Sequence, residues 1–301
     1  MARKRLSCWL GERVAARPTL DPYPSWVLGS GERRGIAVRI RGLIWPRLKD
    51  EFEVEWMDGL RLLLQPGSET SRAIYVTGRY EPNEFCLLDR ILQPGMIFVD
   101  VGANVGLYSL FAATKVKQQG RVLAIEPSSR EYEALRKNIA ANRLQNVCAL
   151  RVAVWDRRGS ADLLVAPLEH SGHNTLGGFG YGTTLERQET VPLERLDEII
   201  RGQGLERVDV IKIDVEGAEL FALQGAAEIL QRFHPMLLLE VSDRTLQHQG
   251  SSSRSVLEWL QRHGYSFYSL DSSSGLPQPL QAQGYFESQN TVAVVGESTP
   301  W

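Results

Sequence analysis

A chain of 301 residues with a net charge of −2, 43% hydrophobic and 23% charged, has the balance of an ordinary folded protein. That balance excludes a disordered chain and the strongly basic surface of a nucleic-acid binder, so no nucleic-acid partner is expected. Three widely spaced cysteines, Cys8, Cys86 and Cys148, fit neither a disulfide framework nor a metal knuckle. With no apolar run of the roughly 18 residues a membrane span needs, and no apolar signal-peptide core at the start, the expected location is the cytoplasm.

Residues 1–24 read as a basic tail and linker. Over residues 1–17, Arg3, Lys4, Arg5, Arg13 and Arg17 stand against the single acid Glu12, and three prolines then break the chain. Residues 25–78 read as a small N-terminal β-rich unit with alternating stretches at 36–40, 52–56 and 60–64 and an Asp58-Gly59 hairpin signal. From 79 to 301 the pattern becomes α/β. A helix opens at Tyr80-Glu81-Pro82 and delivers the chain to Phe98-Val99-Asp100-Val101, which runs into Gly102-Ala103-Asn104-Val105-Gly106 and a second apolar helix. The strand at 121–125 ends in Glu126, and its distance from Asp100 fits one strand-helix-strand unit.

Further on, 128–143 reads as a helix, 146–154 as a third strand, and 160–192 as a long glycine-rich loop of the kind that carries function. The spacing predicts a helix over 193–201, a strand over 208–213 ending in Asp214-Val215-Glu216-Gly217, and a helix over 217–233. A strand over 236–241, a helix after serines 251–253, two last strands at 265–270 and 291–295, and a surface loop at 271–283 complete the chain.

Acids at strand ends suit a ligand with hydroxyls and a nucleotide-like body. A dinucleotide fingerprint requires Gly-x-Gly-x-x-Gly, but Asn104 stands where its second glycine belongs, which argues against an NAD-dependent oxidoreductase. Asp100 is expected to face an ammonium group, Gly102, Ala103, Asn104 and Gly106 to admit the ligand to the backbone, and Glu126 to accept from a ribose diol. Asp156, after Trp155, is the candidate for an adenine amine. This set suits S-adenosylmethionine.

The Asp-Val-Gly-Ala-Asn-Val-Gly turn, Ala-Ile-Glu-Pro ending at Pro127, Lys-Ile-Asp-Val-Glu-Gly at 212–217 and Leu-Leu-Glu ending at Glu240 together resemble the FkbM family of S-adenosylmethionine-dependent methyltransferases. The resemblance implies a seven-strand, Rossmann-like class I methyltransferase sheet with helices on both faces and a final antiparallel hairpin. It also implies O-methylation of sugars, glycans or secondary metabolites.

Methyl transfer to a hydroxyl is an in-line displacement that needs alignment and a proton acceptor or a metal. Asp214 and Glu216 are the candidate bases, or, with Glu240, hard oxygen ligands for Mg²⁺. His173 is a third catalytic candidate, with His170 and Asn174 beside it. Lys212, inside a buried strand, needs an acidic partner there or a catalytic use. The alternatives are N-methylation by the same fold and a non-catalytic cofactor-binding module. The acceptor is expected to be a small molecule or glycan; its identity and the oligomeric state are not encoded in these motifs.

Overall fold

The computed structural model describes residues 36–57, 59–271, 275–280, 286 and 289–296. The basic tail and linker at 1–24 and Asp58 of the hairpin signal lie outside the described residues.

The chain opens with helix α1 (Ile36–Ile44), a 3-10 turn (Trp45–Arg47), the hairpin β1 (Phe52–Trp56) and β2 (Leu60–Leu64), and helices α2 (Glu69–Thr77) and α3 (Pro82–Ile91). Next come β3 (Ile97–Val101), α4 (Leu107–Val116), β4 (Arg121–Ile125), α5 (Ser129–Ala141), β5 (Val147–Leu150), β6 (Ala153–Val154), β7 (Gly159–Val165) and, after a strap, β8 (Arg187–Glu194). The remainder is α6 (Leu196–Gly202), β9 (Val210–Ile213), α7 (Glu219–Gln224), α8 (Ala227–Phe233), β10 (Met236–Val241), α9 (Asp243–Leu246), α10 (Ser253–Arg262), β11 (Tyr265–Leu270), β12 (Pro277–Pro279) and β13 (Gln289–Val295).

The main sheet has eight strands in the order β12-β11-β13-β10-β9-β3-β4-β5. Its central pairs are parallel, while β13 runs antiparallel between β10 and β11. The order reverses between β3 and β9, and in open α/β sheets such a switch point is where ligands bind. Register places Lys212 directly beside Asp100.

Alternation along the strands divides the apolar side chains between two cores. Phe98, Val122 and Val210 pack with Phe85 and Phe111 on one face, and Val99, Ile125, Ile211 and Leu239 pack with Leu223, Leu230 and Leu260 on the other. The N-terminal hairpin shares the first core through Trp56, which meets Phe85 edge-on at 5.2 Å. Its outer edge is satisfied by α5: the backbone N–H of Arg61 donates to Asn142 at 2.7 Å and that of Leu63 to Asn138 at 2.8 Å.

Several elements depart from the sequence reading. The 36–40 stretch is helical, as part of α1. The 160–192 segment contains an antiparallel pair, β7 with β8, that forms a three-stranded sheet with β6. The third strand divides into β5 and β6, and the helix expected over 217–233 divides into α7 and α8 around Gly225, whose Cβ would lie 2.0 Å from the Trp155 carbonyl. Within the 271–283 link, β12 pairs with β11.

Candidate functional site

A cavity of about 390 Å³ opens at the carboxyl ends of β3, β4, β9 and β10, a size typical of small-molecule clefts, which span about 300–1,000 Å³. Its first wall is the turn after β3. Gly102 has φ +80°, and a Cβ there would sit 1.8 Å from the Asp214 carbonyl, so only glycine lets the turns after β3 and β9 close on each other. Asn104 adopts φ +49°. Its backbone N–H donates to Glu126 Oε2 at 2.8 Å, and its side chain donates to the Ser171 carbonyl at 3.1 Å, linking turn, acid and strap.

Glu126 is 5% exposed and also accepts from the Ser128 N–H at 2.9 Å. Burial, reinforced by Glu131, pushes its pKa up to about 8. Each oxygen thus takes one backbone N–H; the ionised group offers about four lone-pair sites and the protonated one an O–H donor with the remaining acceptors, so either form has capacity for a diol. Beside it, Ile125, Val152, Ala153, Val154 and Leu163 supply an apolar wall suited to a planar base.

The other half of the cavity is acidic. Lys212 Nζ lies 3.0 Å from Asp214 Oδ2 and 3.9 Å from Asp100 Oδ1. Although burial works against its charge, Asp214, Asp100 and Glu81 hold the ammonium above the ordinary lysine range. Asp214, Glu216 and Glu240 bring one carboxylate oxygen each within 4.8 Å of one another. Burial together with Glu240 and Asp214 pushes Glu216 well above the ordinary carboxylate range. Its backbone is left-handed at φ +50°, and its carbonyl accepts from Thr175 Oγ1 at 2.8 Å.

The strap between β7 and β8 closes over both halves. Asn174 ties it down: its Oδ1 accepts from the Ala166 N–H at 2.9 Å and its Nδ2 donates to Glu131 at 3.0 Å. His173 stacks on His170 with ring centroids 5.5 Å apart, and its Nδ1 meets Thr183 Oγ1 at 3.0 Å. Burial and the neighbouring His170 lower its pKa, leaving the imidazole neutral at pH 7. Tyr181 is tilted against His173 at 4.9 Å, and its hydroxyl reaches Ser242 at 3.1 Å.

The structure therefore brings Gly102, Ala103, Asn104, Glu126, His173, Asp214, Glu216 and Glu240 to one cavity, and places three other candidates elsewhere. Asp100 is fully buried beneath the turn, accepting from Ser109 Oγ at 2.6 Å, and so faces Lys212 where an ammonium ligand was expected. Gly106 heads α4, where a Cβ would meet Leu135 Cδ1 at 2.5 Å; it serves helix packing. Asp156 does not line the cavity and pairs with Arg157 at 3.5 Å, while Trp155 before it stacks on Phe221 at 4.1 Å. Sequence reasoning missed Glu69, Tyr80, Glu81, Tyr108 and Tyr181 as cavity residues. Of these, only Glu81 carried a signal, an acid directly before the proline that opens a helix.

The chain is similar to several known methyltransferases. Methyltransferase sdnD of Sordaria araneosa is 36% identical over 164 residues, 46% of this chain and 62% of that protein. The 31-O-demethyl-FK506 methyltransferase FkbM of Streptomyces tacrolimicus is 30% identical over 164 residues, with the same two coverages. The chain thus spans about three fifths of the length of these relatives. The solved methyltransferase FkbM from Methylobacillus flagellatus KT superposes with a TM-score of 0.42 at 16% identity, over 75% of this chain and 53% of that one. The model of the methyltransferase FkbM domain matches residues 100–267, more than half of the chain, which therefore belongs to the FkbM methyltransferase family.

Proposed function

We propose that the protein is an S-adenosylmethionine-dependent O-methyltransferase whose acceptor is a hydroxyl of a sugar, glycan or secondary metabolite. The observation that carries this reading is the division of one cavity into a diol-accepting half at Glu126 and an acidic half at Asp214, Glu216 and Glu240. Glu126 would hold the ribose hydroxyls, the apolar wall from Val152 to Val154 the adenine, and the backbone from Gly102 to Asn104 the amino-acid portion. A bound sulfonium donor supplies an electrophilic methyl group. This chain's residues align the acceptor hydroxyl with it and take up the proton. Asp214, fixed by Lys212, accepts a hydrogen bond from the acceptor, with Glu216 beside it. Neutral His173 closes the site from the strap side.

Oxygen is favoured over nitrogen as the acceptor atom because a hydroxyl needs the hydrogen-bond acceptors that crowd this half. The FkbM relative from Streptomyces tacrolimicus is named for a demethylated oxygen position, which supports the same choice. Mg²⁺, the alternative use of the three carboxylates, is not carried into the mechanism, since Lys212 already brings positive charge to them.

The test is calorimetry with S-adenosylmethionine and S-adenosylhomocysteine on the intact chain, followed by transfer of a labelled methyl group to a panel of hydroxyl compounds. Binding that Glu126→Ala abolishes, together with a labelled ether product, is expected. An intact protein that binds neither compound would sink the reading, and binding without turnover across the panel would favour the non-catalytic module.

A further inference from the structure

We propose that Glu81 is the group that receives the proton of the acceptor hydroxyl, and that Tyr108 positions it for that role. The inference rests on the methyltransferase reading above and adds a residue to it.

Glu81 stands at the head of α3, yet its side chain makes no capping hydrogen bond to the helix. Its backbone is left-handed, with φ 38° and ψ 61°, a conformation that a residue with a β-carbon adopts only when its surroundings enforce it. The carboxylate instead faces the cavity, in the half lined by Lys212, Asp214 and Glu216. There Oε2 accepts the Tyr108 hydroxyl, while Oε1 has no hydrogen-bond partner among the described residues. Tyr108 is itself fixed: its ring stacks on Phe85 with centroids 4.6 Å apart, and Lys212 Nζ lies 4.8 Å from its centroid.

Two of the other acids in the site are engaged elsewhere: Asp214 is bonded to Lys212, and Glu126 receives two backbone N–H groups. The titratable and charged groups that face Glu81 are Tyr80, Glu84, Tyr108, Lys212 and Asp214. Burial first, then Asp214, pushes the Glu81 carboxyl up to about 7, while the Tyr108 hydrogen bond and Lys212 oppose the rise. A base with that affinity accepts a proton at neutral pH and returns it to water afterwards.

In the step itself, the acceptor O–H bond breaks and its proton passes to Glu81 Oε1. The oxygen electron pair forms the new bond to the methyl carbon, and the pair of the broken carbon–sulfur bond stays on sulfur, cancelling the sulfonium charge. Glu81 then releases the proton to solvent.

The test begins without any ligand, as a carboxyl titration by NMR on protein carrying ¹³C-labelled glutamate, in the wild type, Glu81→Gln and Tyr108→Phe. Among the resonances that titrate between about 7 and 8, which include those of Glu126 and Glu219, one belongs to Glu81. It disappears in Glu81→Gln and moves to higher pH in Tyr108→Phe, because the hydrogen bond favouring the ionised form is lost. In turnover, Glu81→Gln should lower kcat by roughly 10²–10⁴-fold, the usual contribution of a general base, and abolish the acid limb of the pH profile. Its calorimetric affinity for S-adenosylmethionine should stay at the wild-type value. A Glu81 resonance in the ordinary carboxylate range would overturn the assignment, as would a Glu81→Gln enzyme that keeps the wild-type rate and acid limb. Loss of S-adenosylmethionine binding by the wild type would overturn the methyltransferase reading instead, so the two failures are distinguishable.

Discussion

Lys212 is the residue on which the acidic half depends. It is 6% exposed, stands in register beside Asp100, and is the cation that Asp100, Asp214 and Glu81 share. Removing one partner of a buried ion pair leaves uncompensated charge, which typically costs about 3–5 kcal/mol. Lys212→Met should therefore lower the unfolding free energy by about that much in urea denaturation. Adding Asp100→Asn should recover part of the loss, because the stranded charge 3.9 Å away is gone; additive losses would show that the two residues are not coupled. The same lysine governs metal dependence. With an ammonium 3.0 Å from Asp214, the carboxylates are compensated without a divalent ion, so chelation should leave methyl transfer within about twofold of the untreated rate, an effect below 1 kcal/mol. A chelator-sensitive rate restored by Mg²⁺ would return Asp214, Glu216 and Glu240 to the role of ligands.

At the scale of elements, Gly102 in the turn after β3 and Gly172 in the strap stand under opposite constraints. Gly102 combines φ +80° with a Cβ position 1.8 Å from the Asp214 carbonyl, whereas Gly172 in the strap has nothing within 4 Å. Gly102→Ala must push the turns after β3 and β9 apart. It should cost more than about 3 kcal/mol, beyond the usual range for a point change, and abolish donor binding. Gly172→Ala should stay within about 0.5 kcal/mol of wild type; equal effects in thermal unfolding would contradict the geometry. The contrast also shows what was readable before folding. Strand-end acids and turn glycines were legible at Glu126, Gly102 and Asp214 because a buried parallel strand has a continuous apolar run and an abrupt end. The β7–β8 pair was hidden because Pro192 stands opposite Ser160 and only Val191 and Leu193 on β8 are buried, so the apolar alternation is short and proline argues against a strand. Stretch 36–40 alternates as a strand does, yet α1 is a helix packed on α2 through the buried Arg41, which donates to the Tyr75 and Val76 carbonyls. Glu81 and Tyr108 escaped notice as a pair because 27 positions separate them and only tertiary packing joins them.

The whole molecule concentrates acids at one sheet edge, and that concentration has a thermodynamic consequence. Burial pushes Glu126 up to about 8, and Glu81 and Glu219 to about 7. All three carboxyls are then protonated in the folded chain over a range where the unfolded chain, with ordinary glutamates, has released its protons. Their contribution to stability is complete below the unfolded value near 4.5 and is lost as pH rises through about 7 to 8. The groups with depressed values, Glu51, Glu189 and Asp243, act in the opposite sense, but below the ordinary carboxylate range and so outside this window. His173, lowered by burial, offsets a small part of the trend below the ordinary histidine value. The ligand-free protein should therefore unfold at lower temperature and lower urea at pH 8.5 than at pH 5.5, by an amount on the order of several kcal/mol. Glu126→Gln removes the group with the highest of these values and keeps its volume, so its stability should vary less across the same interval. A wild type whose stability is flat or rises from pH 5.5 to 8.5 would mean that water reaches these carboxyls and that the edge is not the desolvated site on which both the diol contact and the Glu81 proton transfer depend.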